Sequence, residues 1–150
     1  MEPKNLSNSE TNPTSSETNK TLLVLRGIPG SGKTSLANAI SLTNGAPIYS
    51  IDSYFENEVG EYHFDYQKNH LAYKDCEAKT KHALERNLPF VIVDNTFTLE
   101  WELEPYIRLA NEFEYKLHVV TVENRHGGKN VHQIPEEQIE KMKAKYRVVL

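Results

Sequence analysis

The chain has 150 residues, of which 38% are hydrophobic and 25% charged, and its formal net charge is −4. That length suits one domain able to bury about two-thirds of its unfolded surface. The acidic balance excludes a general binder of polyanions, a role that shows as a basic surplus.

In chain order, residues 1–20 ("MEPKNLSNSETNPTSSETNK") are Ser, Thr, Asn, Glu and Pro with almost nothing to bury. They predict a disordered tail, leaving 21–150 as the folded domain. "TLLVLRG" (21–27) is an apolar run that stops at glycine, and a helix is predicted over 33–43. A second run, "APIYSID" (46–52), precedes a helix over 64–86 with a weak stripe through Tyr73, Cys76, Thr80 and Ala83. "PFVIVDN" (89–95) is the third run. The segment 99–113 then carries a clear helical stripe at Leu99, Leu103, Tyr106, Ala110 and Phe113. Pro105 within it marks a kink or a late start. "KLHVVTVE" (116–123) is the fourth run, and Pro135 opens a last helix with Ile139, Met142 and Tyr146 on one side. "RVVL" (147–150) reads as a final short strand. Short unbroken apolar runs suit strands buried on both faces. Their alternation with helices predicts a three-layer α/β domain with a mostly parallel sheet of about five strands and right-handed crossovers.

No apolar run approaches the roughly 20 residues of a membrane span, and the N-terminus has no apolar signal-peptide core. The single cysteine, Cys76, makes no internal disulfide, which fits a reducing compartment and a cytoplasmic protein. Asp75 and Glu77 beside it disfavour a thiolate, so Cys76 reads as core packing.

The stretch Gly27-Ile28-Pro29-Gly30-Ser31-Gly32-Lys33-Thr34 matches G-x-x-x-x-G-K-[ST] in full. An apolar strand precedes it and a helix-compatible stretch follows, the context this pattern requires, and Gly27, Pro29, Gly30, Ser31, Gly32, Lys33, Thr34 and Ser35 are the expected nucleotide-binding residues. Four residues between the outer glycines make a loop wide enough to encircle one phosphate. Backbone N–H groups near 30–34 point inward, and the helix N-terminus adds partial positive charge. In this pattern Lys33 reaches the β- and γ-phosphates and the Thr34 hydroxyl ligates Mg²⁺. A nucleoside triphosphate is the expected ligand, and no base-reading motif separates ATP from GTP. Asp52 and Asp94 each end an apolar run, so both belong on the rim that carries the loop. Asp94 is placed as a Walker-B-type acid for Mg²⁺, leaving Asp52 to take a proton from a substrate hydroxyl. Arg125 and Lys129 flank glycines in "NRHGGKNVHQIP", a basic loop suited to closing over phosphates. His126 and His132 lie in the same stretch without a third ligand at metal-binding spacing. Tyr54, Phe55, Tyr62, Phe64 and Tyr66 cluster past Asp52, and suit either stacking on a base or covering the sheet edge.

In that order, "RGIPGSGKTSLA", "YSIDSYF", "VIVDNTFTLEWELEPY" and "KNVHQIPEEQIEKMKAKY" resemble the P-loop kinase domain of 5′-hydroxyl polynucleotide kinases. The N-terminal domain of the myelin 2′,3′-cyclic-nucleotide phosphodiesterase and small phage and bacterial ATP-binding proteins share this layout. The resemblance covers nearly everything after residue 20 and implies a P-loop NTPase fold of the nucleotide-kinase group. It implies that Asp52 is the general base toward a 5′-hydroxyl, that Asp94 is the acid of the D-N-T motif, and that Arg125 and Lys129 supply a basic lid. Two features depart from the pattern. Phe55 stands where phage-type members carry a substrate-holding arginine, and the lid segment is short. The phosphoryl acceptor is therefore open between a nucleic acid 5′ end and a small hydroxyl-bearing nucleoside or sugar. A nucleotide-dependent regulatory module with little turnover is a third reading.

Overall fold

The computed structural model describes residues 19–129 and 133–150. The tail expected over 1–20 therefore lies outside the described residues, except for its last two. Of these, Lys20 is tied down: its ammonium donates to Asn87 Oδ1 (3.2 Å) and to the Phe113 carbonyl (3.1 Å).

Four strands form one parallel sheet: β1 (Thr21–Arg26), β2 (Ile48–Tyr49), β3 (Phe90–Asp94) and β4 (Lys116–Thr121), in the order β2-β3-β1-β4. Four helices accompany them: α1 (Lys33–Asn44), α2 (Asn69–Glu85), α3 (Glu100–Glu112) and α4 (Glu136–Lys143). Alternation along the strands sorts the core into two layers. Leu22, Val24, Val91 and Val93 pack with Cys76, Leu84, Leu103 and Tyr106 of α2 and α3. Leu23, Leu25 and Ile92 pack with Ala37 and Ile40 of α1. Both faces of β1 and β3 are thus covered, which is why these strands are apolar without interruption. Leu84 is fully buried, so Leu84→Ala is expected to lower unfolding free energy by about 2–5 kcal/mol. Denaturant melts of the two proteins measure this.

Three expectations meet competing local chemistry. The run 46–52 pairs only at Ile48 and Tyr49. The Ile51 N–H is taken by Asn95 Oδ1 (2.8 Å) and that of Asp52 by Ser50 Oγ (3.1 Å), which turns the chain into a 3₁₀ segment, Ile51–Phe55. The helix expected from 64 starts at Asn69, because Asp65 Oδ1 accepts from the Gln67 N–H (3.0 Å) and sets a separate turn. Pro105 neither delays nor ends α3, which runs on from Glu100 through it.

The fifth strand is a correction. Residues 147–150 form no ladder, and the sheet has four strands among the described residues. The cause lies at their start. The Tyr146 hydroxyl donates to the Thr96 carbonyl (2.6 Å), and the Arg26 guanidinium donates to the Arg147 carbonyl. These bonds hold the segment at the carboxyl ends of β1 and β3, away from the β4 edge. Val119 and Val120 of β4 are each left 39% exposed, more open than any residue of β1 or β3. No helix among the described residues is long and apolar enough to cross a membrane.

Candidate active site

The glycine loop leaves β1 at Arg26 and enters α1 at Lys33. At Gly27 only hydrogen fits: a Cβ there would lie 2.6 Å from Ser31 Oγ and 2.9 Å from the Val122 carbonyl. Gly30 (φ 80°) and Gly32 (φ 102°) take the left-handed backbone that folds the loop back on itself. Ser31 is fully buried, and its hydroxyl has no hydrogen-bond partner among the described residues. An orphaned buried hydroxyl is costly and recurs where ligands bind.

The Lys33 ammonium donates to the Gly27 (2.9 Å) and Ile28 (3.0 Å) carbonyls. Burial pushes its pKa down, with Asp94 and then Asp52 opposing that push. The Thr34 hydroxyl donates to Asp94 Oδ2 at 2.8 Å. Burial raises the Asp94 pKa, the Thr34 bond and Lys33 hold it back, and Asp52 adds to the rise. Two carboxylates and one ammonium are thus close enough to feel one another across a cavity of about 290 Å³. Pro29, Gly30, Gly32, Lys33, Thr34 and Ser35 form its floor. Ile51, Asp52 and Tyr62 form one wall, and His126, Gly128, Lys129 and Ile134 another. A hydroxyl beside a carboxylate is a hard-oxygen pair, the donor type that fits Mg²⁺ shared with phosphates.

The sequence-predicted residues divide accordingly. Lys33, Asp52, Asp94, Thr34 and Lys129 share the cavity. Gly27 and Ser31 shape the loop from behind. Arg125 is not among the lining residues; its side chain is 85% exposed and pairs with Glu123 Oε2 at 2.7 Å. Among the described residues no group of three or more His, Cys, Asp or Glu side chains is arranged to hold a metal ion. His132 lies outside the described residues, and Cys76 is buried with its thiol pKa raised chiefly by that burial.

The aromatic cluster packs largely on itself. Phe55 is buried, with ring centroids 5.0 Å from Phe64 and 6.1 Å from Tyr62. It anchors a hairpin closed by the Glu56–Tyr62 bridge. That hairpin carries Tyr62 to the cavity, while Phe64 and Tyr66 stay exposed. Burial, then Asp52, then Glu56 push the Tyr62 phenol up to about 12. A raised folded pKa means the neutral phenol is favoured by folding. Its contribution is complete below the unfolded value of about 10 and disappears as pH rises through the folded one. The Tyr146 phenol is pushed up to about 12 as well, so spectrophotometric titration is expected to show several late phenols, one fewer of them in Tyr62→Phe.

Three residues of the site escaped sequence reading. Asn95 holds Ile51, and through it the turn that carries Asp52, while its Nδ2 donates to Cys76 Sγ (3.7 Å). Thr96 offers its carbonyl to the Gly27 N–H (3.3 Å). Both belong to the D-N-T triplet, so the signal was present, but its use by the backbone is a tertiary fact. The third is Asn124, whose Nδ2 donates to the Gly128 carbonyl (2.8 Å) and lies 3.4 Å from that of Gly30.

A family model described as an AAA domain matches residues 22–149. Human NEDD4-binding protein 2 is 37% identical over 97 residues, which make up 64% of this chain and 5% of that protein. The chain thus spans about one-twentieth of the length of that curated relative. Among solved structures, a Pnkp1/Rnl/Hen1 complex superposes with a TM-score of 0.57 at 23% identity, over 81% of this chain and 38% of that one. The APS kinase CysC of Mycobacterium tuberculosis gives 0.52 at 12% identity, over 83% of this chain and 95% of that one. At such identities the likeness is one of fold.

Proposed function

The chain belongs to the AAA domain family, and we propose that it is a phosphotransferase moving the γ-phosphoryl group of ATP to a hydroxyl. The observation that carries the reading is the shared cavity, where Lys33, Asp52 and the Thr34–Asp94 pair line one space above a glycine loop. In this reading the triphosphate lies in the loop, gripped by inward N–H groups. Lys33 exchanges its carbonyl partners for β- and γ-phosphate oxygens. Asp52 accepts the proton of the acceptor hydroxyl while that oxygen bonds to the γ-phosphorus. The bond to the β-phosphate oxygen breaks, and ADP leaves. Mg²⁺, when bound, neutralises charge between the phosphates, and Thr34 and Asp94 would hold it.

The resemblance of the D-N-T and W-E-x-x-P-Y motifs to 5′-hydroxyl polynucleotide kinases supports a polynucleotide 5′-hydroxyl as acceptor. A specific observation favours a second acceptor, a small nucleoside or sugar. The hairpin that presents Tyr62 carries exposed Glu56, Glu58 and Glu61, and carboxylates at that wall repel a phosphate backbone.

Labelled ATP offered with Mg²⁺ and 5′-hydroxyl oligonucleotides, nucleosides or sugars tests both acceptors. Label is expected on one class. Intact ATP binding with no transfer to any hydroxyl removes the phosphotransferase and leaves a nucleotide-dependent binding module. No heat on titrating Mg-ATP or Mg-GTP into folded protein removes every nucleotide reading.

A further inference from the structure

The basic loop after β4 touches the glycine loop through a side chain other than its arginine. His126 Nδ1 accepts the Gly128 N–H at 3.0 Å, so the ring proton resides on Nε2. Nε2 in turn lies 3.0 Å from the Ser31 carbonyl and donates to it. The fit is close on both sides. A Cβ at Gly32 would lie 2.6 Å from Nε2, and one at Gly128 would lie 2.3 Å from the ring's Cε1. Asn124 completes the turn by accepting the Gly127 N–H (3.1 Å) and donating to the Gly128 carbonyl (2.8 Å). Gly127, at φ 75°, supplies the left-handed step that brings the ring around.

We propose that His126 is a positioning residue for the nucleotide, acting by fixing the Ser31–Gly32 peptide plane. The carbonyl and N–H of one trans peptide unit point in opposite directions. A donor that holds the Ser31 carbonyl on the His126 side therefore fixes the Gly32 N–H in the opposite direction, and so sets which edge of that peptide a phosphate in the loop would meet. Without that bond the Ser31–Gly32 peptide, followed by a glycine at φ 102°, loses the donor that holds its carbonyl and can rotate more freely. A rotated peptide would present a carbonyl to the phosphate instead of an N–H. The inference rests on the nucleotide-binding reading above, and adds to it a residue from outside the loop that orders it.

The test compares Mg-ATP affinity by calorimetry, and melting temperature, in wild type, His126→Leu and His126→Gln. The glutamine amide keeps an N–H donor at similar reach; leucine keeps bulk without one. His126→Leu is expected to weaken binding about two- to tenfold, the worth of one neutral hydrogen bond. His126→Gln is expected to recover most of that loss, with melting temperatures of the two variants alike. Unchanged affinity in His126→Leu, or equal loss in both variants, overturns the proposal while leaving the nucleotide reading intact. Wild-type protein that binds no nucleotide overturns both.

Discussion

Lys33→Met is expected to cut turnover at saturating Mg-ATP by about a hundred- to a thousandfold, the usual cost of losing one preorganised donor to transition-state charge. Methionine keeps the length of the aliphatic stem and removes the ammonium. That ammonium lies within reach of both rim carboxylates, and no uncharged group reproduces a cation on three equatorial phosphoryl oxygens. Stability is expected to move differently from activity. The Lys33 pKa is lowered in the fold, so its charged form is disfavoured there relative to the unfolded chain. At neutral pH the charge therefore subtracts from stability, and the deficit shrinks as pH rises through the depressed folded value. The melting temperature of Lys33→Met should not fall. Inactivation accompanied by a large drop in melting temperature would mean that the substitution damages the fold and says nothing of phosphate chemistry.

Asp52→Asn is expected to slow transfer by about a hundred- to ten-thousandfold, the range for loss of a general base, while ATP affinity stays level or improves. The asparagine keeps the shape of the side chain and the backbone bond from the Asp52 N–H to Ser50. It cannot take up a proton. Removing a negative charge near bound phosphates relieves repulsion, which is why affinity should not suffer. Pre-steady-state transfer rates with parallel calorimetric titrations separate the two effects. A protein that works as a nucleotide-dependent module would tolerate Asp52→Asn and lose function only in Lys33→Met, so the pair of variants discriminates between the readings.

Much of this molecule was legible because its signals are local. The glycine loop is a contiguous pattern readable in one window of sequence, and the resemblance to P-loop kinase domains of the polynucleotide kinase type is borne out by the family match and the structural neighbours. β1 and β3 announce themselves because burial on both faces leaves no polar position inside them. β2 is shorter than its apolar run because Asn95, more than forty residues away in sequence, claims a strand N–H. No window of sequence contains both partners. The final "RVVL" has strand composition but no ladder, because Tyr146 and Arg26 fix the preceding backbone elsewhere. The loop after β4 shows the same limit. Its positive charge is visible in the sequence, but whether Arg125 or His126 meets the glycine loop depends on a left-handed step at Gly127 and a bond inside the turn.

The Asn95 link gives the two acids a common chassis. Asp94 ends β3, and the next residue grips the turn that bears Asp52, so both carboxylates ride on one strand terminus even though they come from different segments. The hairpin 56–62 hangs beyond Asp52 and joins the same turn through Phe55. Substitutions at the exposed hairpin positions therefore leave in place the Asn95 bond that ties the turn of Asp52 to the strand of Asp94.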